Sequence, residues 1–510
     1  MNGNTFSKIK LSQIKYLTLP LLSGLLLIAA FPPFEQGYVT WIALIPLLAT
    51  CLRTSPKHAF WAGFVFGLPL HFYTNLYLSH VLFPYLPTYL SVIAMIAIVC
   101  YISLFNGLFG LGASLAYRTG KVWFTALALP ALWLLAEYLR SLSFLAYNVG
   151  YLGYTQWGYP LLLNISSVYG YWGLPFLIIY FQILVLLFYW NKLRGIMIYS
   201  LAGFFIILLA AGLFLPGLFP EHTEEKPLKV SLIQGNIHPE QVVDATRQDS
   251  VHIYLDMTRE TLEQEPDLDL VVWPETVVSL NFETGAAHHQ EVAGLAEKYD
   301  VNMLYGARLR DDSALYNSIV LFTKDRDDVP VYHKHRLVPF VEYFPMEELL
   351  NHLLDLDLLL GSYSPGEQLK IFQVEGIFFG GAVCFESYFG DHTRRFAEKG
   401  SRHLFVLTND AWFGESIGLE QHAQIAAIRA AEMGIGVTQV ANSGITISFD
   451  YRGRELFRSG KNEAAVFTLN LDFTSRDTLY VRYGDYFPAF WALFMVIATP
   501  VVIFRKPVRQ

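Results

Sequence analysis

Apolar residues crowd the first two-fifths of this chain in runs of about 17 to 25 positions with few charges between them, the length an α-helix needs to cross a bilayer. Seven such runs lie near residues 12–31, 38–52, 59–81, 87–116, 122–139, 168–189 and 195–217, and one more closes the chain near 486–504. Between residues 220 and 480 the pattern changes to ordinary charge density, strand-like alternation and turn signals. That change predicts a soluble domain. The expected organisation is a multi-span α-helical membrane domain over 1–218, an α/β domain over 219–480, and a last span with a short tail over 481–510, about eight transmembrane helices in all.

Composition agrees, since 53% hydrophobic residues and a mean hydropathy of +0.35 over 510 residues are too apolar for an ordinary soluble enzyme. Packing seven such helices inside a soluble protein would leave nothing polar to face water. The net charge of -8 says little, because it sums over compartments that never meet. Orientation follows from the positive loops, which stay in the cytoplasm. Lys8, Lys10 and Lys15 precede the first run, Arg53 and Lys57 follow the second, Arg118 and Lys121 the fourth, Lys192 and Arg194 the sixth, and Arg505, Lys506 and Arg509 end the chain. Both termini are therefore expected in the cytoplasm and the α/β domain outside it, in the periplasm if the membrane is a bacterial inner membrane. The first run leads into FPPFEQG without a small-residue cleavage site, so it reads as a retained helix. His71, Asn75, Glu137 and Asn148 are polar residues within the apolar region, and Glu137 and Arg140 read as wet interface residues.

Strands are predicted at 229–237, 269–276, 302–309, 316–323, 376–384, 403–410, 436–442, 446–450 and 464–471, with helices at 242–264, 287–299, 390–399 and 420–433. Their alternation argues a layered α/β domain, and a hairpin at 451–455 makes its sheet mixed. Polar residues gather where strands end. Glu275, Cys384 and the Asn409-Asp410 pair each fall at or just past a strand's carboxyl end, the usual place for a site in open α/β sheets.

The chain has three cysteines. Cys51 and Cys100 lie in or beside apolar runs and read as small fillers, whereas Cys384 stands alone in the α/β domain with no disulfide partner there. A cysteine nucleophile needs a base or a positive neighbour, and acyl transfer also needs an oxyanion stabiliser. Glu275 in VVWPETVV, rigidly placed after Trp-Pro, offers a base, and Lys334 in VYHKHRLVPFVEYFP offers the cation; Glu342 and Glu386 lie close by in sequence. Each has a plainer reading. A lone Glu at a strand end is usually a rim residue or cap, a His-Lys-His-Arg run a wet basic turn, and a buried Cys a filler. Their occurrence in order within one domain favours chemistry.

These stretches, with TNDAWFG, QHAQIAAIRAAE and VANSGIT, resemble the carbon-nitrogen hydrolase (nitrilase-like) superfamily, and with the flanking spans they resemble its membrane-bound apolipoprotein N-acyltransferase family. The resemblance implies a nitrilase-like αββα sandwich with a catalytic triad of Glu275, Lys334 and Cys384. Glu342 and Glu386 match the family's two further acids, and Lys334 with the Phe385 N–H would stabilise the oxyanion. It also implies transfer of an acyl chain from a phospholipid, typically phosphatidylethanolamine, through a cysteine thioester to the amine of a diacylglyceryl-cysteine on an apolipoprotein. Val341 stands where the family often has Gly, and the Trp often found after QGNI is missing, which touches substrate grip and leaves the triad intact.

Lipid substrates call for gates at the bilayer. Leu353 and Leu354 lie in the leucine-rich 346–368 stretch, and Trp412 and Phe413 are expected exposed on a loop; core packing is the plainer reading of the former. Two rival classes are a membrane-anchored amidase that passes the acyl-enzyme to water, and a transporter or receptor whose α/β domain binds a ligand. An anchor needs one span, and a transporter needs functional charges within its bundle. No metal or organic cofactor is required by this chemistry, no long basic stripe points to nucleic acid, and a monomer is expected.

Overall fold

The computed structural model describes residues 11–84, 86–142, 146–224, 226–237, 247–279, 285–311, 314–324, 329–339, 341–343 and 363–504. Its contacts divide the chain into two units: Met1–Gly217 with Ser416–Gln421 and Asp485–Gln510, and Leu218–Glu415 with His422–Gly484.

The first unit is helical: α1 (Leu11–Ile28), α2 (Ile45–Arg53), α3 (Pro56–Thr74), α4 (Thr88–Arg118), α5 (Val122–Ser141), α6 (Pro160–Tyr169), α7 (Gly173–Tyr189), α8 (Ile196–Phe214) and a last helix, Tyr486–Phe504. Among the described residues four helices are long and apolar enough to cross a membrane, Thr88–Arg118, Val122–Ser141, Ile196–Leu218 and Tyr486–Ile503. The pair α6 and α7, bent by 109°, makes a fifth if it counts as one span. Hydropathy alone does not see the breaks. The run at 38–52 restarts at α2, whose Pro46 sits in the first turn where no N–H is needed. The run at 59–81 stops at Thr74 and resumes only as Leu78–Leu82, and Gly170, at φ 67°, ends α6. Helices α3 and α4 pack backbone to backbone: a Cβ added at Gly63 would lie 2.0 Å from the Asn106 carbonyl oxygen.

Glu137 and Arg140 are not wet interface residues; they are 8% and 3% exposed. Trp133 Nε1 (3.1 Å), the Leu152 N–H (3.0 Å) and the Tyr171 hydroxyl (2.8 Å) all donate to the Glu137 carboxylate, while Arg140 donates to the Val149 carbonyl at 3.1 Å and lies over the Tyr151 ring. These partners repay the loss of water, which is why the pair can be buried.

The second unit is built on two mixed sheets. Its strands are β1 (Leu228–Gln234), β2 (Leu270–Val272), β3 (Val278–Ser279), β4 (Asn302–Arg310), β5 (Leu315–Phe322), β6 (Val331–His333), β7 (Ile371–Val374), β8 (Ile377–Val383), β9 (His403–Thr408), β10 (Gly436–Ala441), β11 (Ile447–Phe449), β12 (Glu455–Arg458) and β13 (Ala465–Leu471). The first sheet runs β13-β1-β2-β4-β5-β6 with β3 beside β4, and the second runs β12-β11-β10-β9-β8-β7. Their centres are parallel, β1 to β2 to β4 and β8 to β9 to β10, so the connecting helices must lie on the faces. Those helices are α9 (Arg247–Gln264), α10 (Gly285–Tyr299), α11 (Gly390–Glu398) and α12 (Gly418–Met433), the last counted in this unit from His422 on.

Strand alternation sets the layers. Val271, Trp273, Met303 and Tyr305 pack with Val251, Tyr254, Leu255 and Val292 of α9 and α10, leaving Leu270, Val272 and Leu304, all 0% exposed, for the opposite face. On β8, Phe396 of α11 fills the space over Gly380, and Ile319 of β5 fills the space over Gly381 on the other side. The order of layers is helix, sheet, sheet, helix, the sandwich that the resemblance implies.

Candidate active site

Three strand ends carry the candidate residues. After β2 the chain turns through Trp273 and Pro274 to Glu275, held by the Trp273 N–H donating to the Leu304 carbonyl (2.8 Å) and the Gly306 N–H donating to the Pro274 carbonyl (3.1 Å). The approach is so close that a Cβ on Gly306 would lie 2.3 Å from the Pro274 oxygen and 2.6 Å from the Glu275 Cα. Only glycine fits. Lys334 directly follows β6, its N–H donating to the Asn317 carbonyl at 2.8 Å. Cys384 directly follows β8 with φ 51°, a left-handed conformation a side chain adopts only when its surroundings enforce it, and opens a 3₁₀ turn, Cys384–Tyr388.

Lys334, 1% exposed, is the centre of a buried charge cluster. Its Nζ lies 2.8 Å from Glu342 Oε1 and 3.8 Å from Glu275 Oε1. Asn317 Nδ2 donates to the same two oxygens at 2.8 Å (Glu275) and 3.1 Å (Glu342), while Glu275 Oε2 accepts the Asn409 N–H at 2.9 Å and Glu342 Oε2 the Val338 N–H at 2.8 Å. Burial raises the Glu275 carboxyl above its ordinary 4.5, with Lys334 pulling the other way. Burial also works against the Lys334 ammonium, but Glu342, then Glu275 and Cys384, outweigh it and keep its pKa above the usual lysine value. The Cys384 thiol is pushed well above its usual range by burial and by Glu275, against the pull of Lys334. A proton acceptor, a permanent cation and a thiol thus share one electrostatic neighbourhood, the set that acyl transfer through a thioester needs.

Glu386 has a different place. Its Oε1 accepts from the Tyr332 hydroxyl (2.8 Å), the His335 N–H (2.7 Å) and the Arg336 N–H (3.1 Å), and its Oε2 from the Val383 N–H (2.8 Å). His392 Nε2 stands 3.3 Å away. Burial would raise this carboxyl, yet His392, the Val383 N–H and Lys334 together hold it down at about 2. It ties the Tyr332 hydroxyl and the two backbone N–H groups directly after Lys334 to the cysteine turn.

Phe385, half-buried, packs in that turn against Tyr388 and Phe389. Trp412 and Phe413 are not on an exposed loop: both are half-buried in a 3₁₀ turn, Asp410–Phe413, where the Phe413 ring meets the His422 ring edge-on at 6.1 Å. Leu353 and Leu354 lie outside the described residues.

Several residues here carried no assigned role in the sequence. Asn317 and the Asn409 N–H orient Glu275. Behind Cys384, His422 Nδ1 is 2.8 Å from Asp410 Oδ1 and its Nε2 is 3.2 Å from the Cys384 carbonyl oxygen and 3.1 Å from Ser387 Oγ. Burial disfavours the His422 imidazolium, but Asp410 outweighs it and raises its pKa. The signal was the polar TND and QH embedded in apolar strand and helix, which only their three-dimensional meeting makes readable. His335, Glu386 and His392 form one set of ligand atoms within 4.8 Å of one another that suits a metal, and Cys384, Asp410 and His422 another. In both, the histidine and carboxylate already face each other, at 3.3 Å (His392 and Glu386) and 2.8 Å (His422 and Asp410).

Two family models match the chain. One, described as apolipoprotein N-acyltransferase N-terminal domain, covers residues 23–184, and the other, carbon-nitrogen hydrolase, covers 229–478. Curated relatives named apolipoprotein N-acyltransferase match along nearly the whole length. The protein of Geobacter metallireducens is 32% identical over 492 residues, 92% of each chain. That of Vibrio parahaemolyticus is 28% identical over 92% of this chain and 94% of its own. Apolipoprotein N-acyltransferase 1 of Treponema denticola is 25% identical over 93% of each. With matches of this length at both ends, and with buried Glu275 and Lys334 and half-buried Cys384 at the strand ends of the carbon-nitrogen hydrolase part, the chain belongs to the apolipoprotein N-acyltransferase family.

Proposed function

We propose that this protein moves a fatty acyl chain from a phospholipid such as phosphatidylethanolamine to the N-terminal amine of a diacylglyceryl-cysteine on apolipoproteins, in two steps through Cys384. The observation that carries the reading is the buried ammonium of Lys334 set between two carboxylates at 2.8 Å and 3.8 Å, in electrostatic contact with the Cys384 thiol. Glu275 takes the thiol proton, and the thiolate attacks the ester carbonyl. The oxyanion forms beside Lys334, with the Phe385 N–H as a second donor. Collapse breaks the ester bond, and the departing alkoxide receives the proton from Glu275, leaving a thioester and a lysophospholipid. The acceptor amine then attacks the thioester, Glu275 takes a proton from it, and collapse forms the amide and returns the thiolate, which recovers that proton. Two bulky lipids never need to occupy the site together.

The positive loops support cytoplasmic termini and a periplasmic α/β domain in the inner membrane, with domains at 1–218, 219–480 and 481–510. Trp412 and Phe413 are kept as lipid-facing candidates on the strength of their amphipathic, half-buried turn.

The test is intact-mass analysis of purified protein after incubation with phosphatidylethanolamine, wild type beside Cys384→Ala. The reading requires a fatty-acyl increment that needs Cys384 and is removed by hydroxylamine. A diacylglyceryl-cysteine peptide added next must gain that acyl chain as an amide. No increment on reduced, folded wild-type protein would sink the proposal, and release as free fatty acid with the peptide untouched would make the enzyme a hydrolase.

A further inference from the structure

Away from the active site, two neighbouring helices bring together an unused set of ligands. His252 belongs to α9, and His288 and Glu291 belong to α10, three positions apart and so on one face of that helix. One ligand atom from each lies within 4.8 Å of the other two. His252 Nδ1 stands 3.9 Å from Glu291 Oε2, and the two imidazole rings meet edge to face with centroids 6.1 Å apart.

A plain surface ion pair between His252 and Glu291 accounts for only part of this. Both side chains are half-exposed, at 52% and 44%, and a pair so placed contributes little. It leaves His288 unexplained. That residue is only 6% exposed, yet its Nδ1 has no hydrogen-bond partner among the described residues, a costly state for a buried polar atom. The adjacent His289 differs, since its Nδ1 is engaged by the Tyr305 hydroxyl. The HH pair therefore divides, one ring bonded to the core strand and one held at the helix interface with an uncommitted nitrogen.

We propose that His252, His288 and Glu291 form a binding site for a divalent transition-metal ion of the zinc class, which ties α9 to α10. Two imidazoles and one carboxylate are a donor set that suits such ions, and three protein ligands leave positions for water. Bonds of about 2.0–2.2 Å place ligand atoms roughly 3.3 Å apart, so the three groups, now within 4.8 Å of one another, need to close by no more than about 1.5 Å through rotamer adjustment of the two exposed side chains. Helix α9 follows β1 in the chain and α10 follows β3, flanking β2, whose end leads to Glu275, so the ion would brace the outer layer of the sheet that carries the proposed base without touching the reacting atoms.

The experiment titrates tag-free, metal-stripped full-length protein in detergent with Co²⁺, read by its visible d–d absorption, and with Zn²⁺ in competition. Wild type is compared with His252→Ala and Glu291→Gln, whose exposed positions spare the fold. The expected result is one ion per chain, an affinity at least roughly tenfold weaker in each variant, a higher melting temperature for loaded wild type than for loaded variants, and unchanged acyl transfer in both variants. Equal binding by wild type and both variants would overturn the proposal. So would an absence of stoichiometric binding, or binding abolished by Cys384→Ala and kept in His252→Ala, which would move the ion to the cysteine, Asp410 and His422 set. Because the readout is metal binding, its failure is separate from any failure of the acyl-transfer reading.

Discussion

Replacing Glu386 by Gln keeps shape and removes one charge, which isolates what this carboxylate does. Its two oxygens accept four hydrogen bonds at 2.7–3.1 Å, three on Oε1 and one on Oε2, while His392 stands 3.3 Å away. A glutamine has one carbonyl oxygen to offer. Whichever way it turns, its NH₂ faces an N–H or hydroxyl donor, so at least one buried donor loses its acceptor. A carboxyl taken from 4.5 to about 2 by folding contributes about 3 kcal/mol at neutral pH. For a domain of this size that corresponds to a fall in melting temperature of about 6–12 °C.

The sign of the pH dependence follows from the depressed pKa. Stability from Glu386 is complete above about 4.5 and lost as pH falls toward about 2, so more than half is gone near pH 3. Melting of wild type and Glu386→Gln, at one scan rate in one detergent, should show the full gap at pH 7 and a much smaller one at pH 3. Curves within 2 °C of each other at pH 7, or a gap that persists unchanged at pH 3, would refute the clamp. Because the clamped N–H groups belong to His335 and Arg336, directly after Lys334, the variant should also form the thioester more slowly at temperatures where it is folded.

Three further outcomes are expected. Gly306→Ala forces its Cβ against the Pro274 oxygen and Glu275 Cα, so it should cut single-turnover acylation by roughly 10²-fold while the protein still melts cooperatively, measured by intact mass against time. Because Glu275 is raised above 4.5, its base form is lost as pH falls through a value higher than that of an ordinary glutamate; the acid limb of the acylation rate should lie above pH 4.5 in wild type, and rate measurements from pH 4 to 8 locate it. His422→Ala strands Asp410, which is 0% exposed, without its 2.8 Å partner; a loss of about 3–5 kcal/mol, visible in thermal melting, should accompany altered alkylation rates at Cys384.

What could be read beforehand was whatever local pattern controls. The strands at 302–309 and 316–323 alternate clearly and fold as Asn302–Arg310 and Leu315–Phe322, and Glu275, Lys334 and Cys384 announce themselves by unusual flanking residues. The short strands Val331–His333, Ile371–Val374 and Glu455–Arg458 were not legible, because pieces of three or four residues are strands only through their pairing with β5, β8 and β11. Asn317 was hidden for a related reason. An asparagine within a strand carries no signal until the fold sets two carboxylates beside it. Trp412 and Phe413 looked exposed because polar and glycine neighbours suggest a loop, whereas the ring of His422, nine residues beyond Phe413, receives Phe413. Glu137 and Arg140 looked wet since nothing in one helix reveals that Tyr171 and the Val149 carbonyl come from elsewhere to meet them.

The unequal distances around Lys334 separate the roles of its two acids. Glu342 is nearer, at 2.8 Å, and also accepts from Asn317 and from the Val338 N–H, so its lone pairs are largely committed to holding the ammonium and the loop. Glu275, at 3.8 Å from the ammonium, accepts among the described residues only from Asn317 and the Asn409 N–H, which leaves room for a proton. Burial raises both Glu275 and Cys384, so it disfavours the charged form of each and opposes the proton's move from one to the other less than it would if it acted on the thiol alone. The total charge of the cluster is unchanged by that move. In the proposed reaction the negative charge then passes from sulfur to the carbonyl oxygen, still beside an ammonium whose pKa its carboxylate neighbours hold above the usual lysine value. A histidine in its place would titrate within the working pH range and compete for the proton Glu275 must carry. Lys334→His should therefore abolish acylation although a positive charge remains available at low pH, whereas loss no greater than a few-fold would mean that charge at this position, and not its permanence, is what the site requires.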